Sequence, residues 1–91
     1  MKTAIYVKTL ESFKDKQVRE LYKLEPTYNG IEFVIVSSIL RAFDTNRPET
    51  LIFEANKFGV NLAWVDLKGS IFGKVNIPKA LKGLGYTIKK N

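Results

Sequence analysis

A chain of 91 residues, 45% of them apolar and 12% aromatic, is too apolar for disorder and has room for one small core, burying about 60–65% of its unfolded surface on folding. It contains neither cysteine nor histidine, which excludes disulfides, thiolate nucleophiles, sulfur-rich metal sites and Ser-His-Asp or Cys-His triads. The net charge of +6 is unevenly placed: residues 1–67 carry nine basic and nine acidic side chains, whereas residues 68–91 carry six lysines and no acid.

In chain order, residues 2–9 alternate loosely, with Ala4 and Tyr6 on one side and Ile5 and Val7 on the other, and predict a strand with both faces partly covered. Lys8 interrupts the early apolar run before the ~7–15-residue core of a signal peptide can form, so no export signal is expected and the cytoplasm is the expected location. Residues 10–24 admit two readings. Leu10, Phe13, Val18 and Leu21 approach helical spacing behind Ser12, whereas a loop to Gln17 followed by a strand over 18–26 fits the alternation of Tyr22, Leu24 and Pro26 with Lys23 and Glu25. The strand is preferred, because Asn29-Gly30 between two apolar runs is a hairpin signal that pairs 18–26 with 31–40.

In 31–40, Ile31, Phe33, Ile35 and Ile39 face one way and Val34, Val36 and Leu40 the other, which predicts a central strand. This stretch contains Glu32, Ser37 and Ser38 and is about half of the ~20 residues a membrane helix needs, so no membrane association is expected. Residues 41–49 form a polar loop, Thr50–Ala55 a strand, and Asn56–Gly59 a turn. A further strand is predicted from Asn61 to Leu67, with Leu62 and Trp64 alternating against Asn61, Ala63 and Val65. Asn76 caps a short helix with Pro78 in its first turn; Ile77, Leu81 and Leu84 form its buried stripe, and Lys79 and Lys82 point away. Gly83 and Gly85 stop this helix, and Tyr86–Ile88 forms a closing strand. The expected fold is one α+β domain over residues 1–91: an antiparallel sheet of about five strands with one short C-terminal helix packed on it.

Five stretches, Tyr22-Lys-Leu-Glu-Pro26, Asn29-Gly-Ile-Glu-Phe-Val-Ile-Val-Ser-Ser38, Pro48-Glu-Thr-Leu-Ile-Phe53, Trp64-Val-Asp-Leu-Lys-Gly-Ser70 and Pro78-Lys-Ala-Leu-Lys-Gly-Leu-Gly-Tyr-Thr-Ile88, carry a resemblance. From about Leu21 onward the chain resembles small uncharacterised proteins encoded by bacteriophages and bacteria, with their x-Tyr-x-Leu-x-Pro hairpin, Pro-Glu-Thr element, Asp-x-x-Gly-Ser turn and closing Ala-Leu-x-x-x-Gly-Tyr. The resemblance implies a small domain in a phage or accessory setting and implies no particular activity.

Gly69-Ser-Ile-Phe-Gly73-Lys74 has some likeness to a phosphate loop, but one residue too few separates its glycines, and Val75 stands where a Ser or Thr would meet magnesium. A weaker anion site remains expected at the start of the helix, from free N–H groups, Lys74, Lys79 and the Ser70 hydroxyl, against the alternative of a plain turn and cap. The acids Glu25, Glu32, Asp44, Glu49, Glu54 and Asp66 are scattered and mark neither a catalytic pair nor a metal site. Phe72 is assigned to the core, and Tyr86 is left as either core or a stacking platform for a base.

No catalytic residue, metal or cofactor is therefore expected. The sequence points to a non-catalytic module that binds nucleic acid or a nucleotide-like anion through Lys68, Ser70, Lys74, Lys79 and Lys82, with Tyr86 as the stacking candidate. The alternatives are that these lysines only solvate an exposed helix and tail, or that the chain is a stoichiometric inhibitor or adaptor of a host protein, working through a sheet edge or the 41–49 loop.

Overall fold

The computed structural model describes residues 2–11, 17–39, 48–63 and 65–89. Its elements are β1 (Thr3–Leu10), β2 (Gln17–Tyr28), β3 (Ile31–Ile39), β4 (Glu49–Ala55), β5 (Ile71–Phe72), α1 (Ile77–Leu84) and β6 (Thr87–Lys89). The strands make one sheet in the order β5-β4-β3-β2-β1-β6, curled into a half-barrel. Four neighbouring pairs are antiparallel, and β6 lies parallel to β1.

The hairpin between β2 and β3 turns at Asn29 (φ 48°) and Gly30 (φ 85°), the positive φ pair that suits the twist of the flanking strands. Beyond it the β2–β3 ladder keeps the register of Tyr22 with Val34 and Leu21 with Ile35, so alternate residues face opposite ways. On one face Tyr22, Leu24, Val34, Val36 and Ile52 meet Ala4, Ala80, Leu81, Leu84 and Tyr86 in the larger core. The other face carries a smaller cluster of Leu21, Ile35 and Ala55, with Leu10 and Phe33 packed against it. The 56–60 turn reaches over this second face: a Cβ on Gly59 (φ +84°) would stand 2.7 Å from Leu10 Cδ2.

Arg19 lies on the same face, 9% exposed, its guanidinium donating to the Glu11 carbonyl (2.8 Å) and to Asn61 Oδ1 (3.1 Å). One of the cations counted in the balanced part of the sequence is thus withdrawn from the surface.

Helix α1 begins where Asn76 Oδ1 accepts the Lys79 N–H (3.0 Å) with Pro78 in the first turn, and ends on Gly85 in the left-handed region (φ 103°), whose N–H bonds the Lys82 carbonyl. Thr50 on β4 fixes the chain before the helix: its hydroxyl donates to the Lys74 carbonyl and accepts from the Asn76 N–H, both at 2.9 Å.

The α+β expectation holds, with two corrections. The sheet has six strands and is mixed, because the chain end returns alongside β1 in parallel, Thr3 opposite Thr87 and Ile5 opposite Lys89. The strand expected over 61–67 does not form. Asn61 makes a single bridge to Ala55, the Leu62 N–H reaches the Glu54 carbonyl and the Leu67 N–H the Ile52 carbonyl, and among the described residues 62–63 and 65–67 none is in a strand. The two-residue β5 takes the edge of the sheet instead, Phe72 opposite Glu49. The preferred strand is present as β2, and with Leu10 in β1 and 17–24 in β2 the helical alternative over 10–24 does not form there; residues 12–16, most of the 41–49 loop and Trp64 lie outside the described residues.

Candidate polyanion-binding surface

Of the expected site residues, Lys68, Lys74, Lys79 and Lys82 are all exposed, two of them on α1 and two on the segment that leads into it. Lys79 and Lys82 stand three residues apart on the outer side of α1, away from buried Ala80, Leu81 and Leu84. Lys68 is held beside the same helix because the next residue, buried Gly69, packs into it. A Cβ on Gly69 would collide with the Ala80 carbonyl and stand 3.1 Å from the Leu84 amide nitrogen, and a Cβ on Gly83 would be 3.3 Å from the Gly69 Cα. Lys74 sits at the opposite end of the helix, two residues before the cap.

A further cation joins them from the far end of the sequence. The Thr87 N–H donates to the Lys2 carbonyl (3.1 Å), which brings the exposed Lys2 side chain to the C-terminal end of α1. Its Nζ lies 5.8 Å from the Tyr86 ring centroid, and its Cδ 3.6 Å from where a Cβ on Gly85 would be. Lys2 had no local signal in the sequence, because only the parallel β1–β6 pairing places it there. Lys89 goes the other way: its neighbour Ile88 packs on the helix-side core, so alternation along β6 turns Lys89 to the opposite face.

None of these lysines is neutralised by a described acid. The salt bridges among described residues join Lys23 to Glu25 (3.6 Å) and Glu32 (3.8 Å), on the β2–β3 hairpin. Lys82 in the last helical turn also complements the carbonyl end of the helix dipole, so part of its role is structural.

Three expected features fall elsewhere. Tyr86 is 1% exposed and its hydroxyl donates to the Pro26 carbonyl (2.6 Å); the ring is walled into the larger core and cannot stack on a base. Phe72, expected in the core, is 68% exposed, since β5 is too short and too near the edge to have a covering layer on that side. Ser70 Oγ accepts the Ile52 N–H (3.0 Å) in place of a strand carbonyl, which ties this residue to the edge of β4. The N-terminus of α1 is likewise engaged, by Asn76 Oδ1 and by the Asn76 carbonyl accepting the Ala80 N–H (3.0 Å).

The most exposed large apolar side chains among the described residues are Phe58, Val60, Leu62, Val65 and Phe72, all on the segment between β4 and α1. A shallow cleft of about 250 Å³ opens between this segment and the hairpin, lined by Glu32, Phe33, Glu54 and Lys57 among others, below the ~300 Å³ at which small-molecule sites begin. Among the described residues no three acidic side chains converge as a metal site requires, and no helix is long and apolar enough to cross a membrane. Comparison of the chain with protein-family models, curated proteins and solved structures finds no match.

Proposed function

We propose that the protein is a non-catalytic binding module, in a phage or bacterial accessory setting, that engages a polyanion through the lysine layer around α1. The observation that supports this reading is that exposed lysines sit on or next to one short helix, Lys79 and Lys82 on it, Lys74 before its cap, Lys68 beside the Gly69 that packs on it and Lys2 beside Gly85 at its end, while residues 67–91 contain no acid. Exposed ammonium groups outside the described ion pairs sum their potentials over a Debye length of ~8–10 Å, attracting phosphates that a balanced surface does not attract. Helix α1, about 12 Å long, spans roughly three to four phosphates of one nucleic-acid strand.

Fluorescence anisotropy with labelled duplex and single-stranded oligonucleotides at ~50 mM salt tests the reading. Each lost phosphate contact costs on the order of tenfold in affinity at that salt, so Lys79→Gln/Lys82→Gln should weaken binding by well over tenfold. Wild-type protein that binds neither oligonucleotide refutes it.

A second reading, a stoichiometric inhibitor or adaptor of a host protein, is favoured by the apolar edge of Phe58, Val60, Leu62, Val65 and Phe72. Its signature is one protein retained at fixed stoichiometry, insensitive to salt, and lost on Phe58→Ser/Leu62→Ser.

A further inference from the structure

We infer that this surface recognises a linear phosphoryl chain by charge alone, without discriminating among bases; the inference rests on the polyanion reading above. Base discrimination is strongest where planar side chains with paired donors and acceptors, arginine, asparagine and glutamine above all, match base edges, or where an aromatic face stacks on a base. Residues 67–91 contain no arginine and no glutamine. Within that stretch the fold engages the acceptor oxygens of the polar side chains beside the helix and withdraws both aromatic rings from it. The Asn76 amide oxygen is committed to the Lys79 N–H, and the Ser70 oxygen to the Ile52 N–H. The Tyr86 ring is buried. Phe72, though exposed, stands opposite Glu49 and alternates with Ile71, which packs on the helix-side core, so it projects from the face away from α1 and beside a carboxylate.

What remains on the outer side of the helix is lysine, a compact, strongly hydrated charge on a flexible stem that lacks the planar fork of arginine. Such groups neutralise phosphates wherever they are offered, and a phosphate chain bearing no bases satisfies them equally well.

Competition anisotropy separates the possibilities. Two labelled duplexes of unrelated sequence, a single strand and inorganic polyphosphate are compared at ~50 mM salt, and the duplex titration is repeated at rising salt. Expected are affinities within about threefold between the duplexes, full displacement by polyphosphate at comparable phosphate concentration, and a log–log salt slope of about −3.6 to −4.5 for four to five contacts. A tenfold preference for one duplex, or a bound duplex that polyphosphate fails to displace, overturns the inference while leaving the polyanion reading intact. Absence of binding to every one of these ligands overturns the polyanion reading itself.

Discussion

Gly69 and Gly83 approach so closely that a Cβ on Gly83 would lie 3.3 Å from the Gly69 Cα, and this contact docks the turn carrying Lys68 against α1. The reverse substitution is worse, because a Cβ on Gly69 meets the Ala80 carbonyl and stands 2.9 Å from Ile52 Cδ1, both in the well-packed core. Gly69→Ala should therefore cost at least ~2 kcal/mol through overpacking, seen as a lower urea midpoint at unchanged slope. Gly30→Ala makes a control, since nothing lies within 4 Å of its Cβ and only the positive φ penalises it.

The cap at Asn76 is a second dependence of the lysine layer. Asn76→Ala removes the acceptor of the Lys79 N–H and should cost about 1 kcal/mol, while Asn76→Asp or Asn76→Ser should keep most of the stability. Thermal unfolding of the three variants is the check.

Alkaline pH should destabilise the fold through two tyrosines. Burial, then the hydrogen bond to Glu20 and that residue's negative charge, push the Tyr22 hydroxyl well above its ordinary value of 10.0, and burial raises Tyr86 as well. A raised folded-state value means the folded protein holds these protons more tightly than the unfolded chain does. Their contribution is complete below the unfolded value and is lost as pH climbs above about 10. Denaturation midpoints between pH 8 and 11 should fall toward the alkaline end, and Tyr22→Phe should flatten that fall. A midpoint that stays level across the range in the wild type would contradict the assignment.

Phe72 and Tyr86 supply a paired prediction. Phe72→Ala should leave stability within about 0.5 kcal/mol and polyanion affinity unchanged, because the ring is exposed and faces away from the lysines. Tyr86→Phe should cost about 1–2 kcal/mol by leaving the Pro26 carbonyl without its hydroxyl donor, again with affinity unchanged. Equilibrium unfolding and anisotropy on the same samples measure both quantities.

These two aromatics also mark where reading the sequence stops. Alternation in Tyr22–Leu24 and Val34–Val36, the Asn29-Gly30 turn and the Asn76-Pro78 helix start are local patterns, and the structure follows them closely. What local pattern does not encode is which distant segment covers a residue. Tyr86 is buried because β6 returns to β1 beneath α1, and Phe72 is exposed because the edge beyond β5 has no neighbour in the sheet. The strand expected at 61–67 fails for a related reason. Its alternation is real, but after the bridge at Asn61 the described residues meet β4 only through the Leu62 and Leu67 N–H groups, and Gly69 then packs into the helix. Of the candidate site, the exposed lysines were legible as a run without acids, whereas the place of Lys2 and the tie of Ser70 to β4 depend on pairings made across the fold.

The most direct test of the lysine layer is an amide chemical-shift titration of isotopically labelled protein with a short duplex at low salt. The account predicts shifts concentrated at Lys2, Lys68, Lys74 and residues 79–85, vanishing as salt is raised. Shifts centred instead on Phe58–Val65 or on the β2–β3 hairpin, or a spectrum unmoved by the duplex, would contradict it.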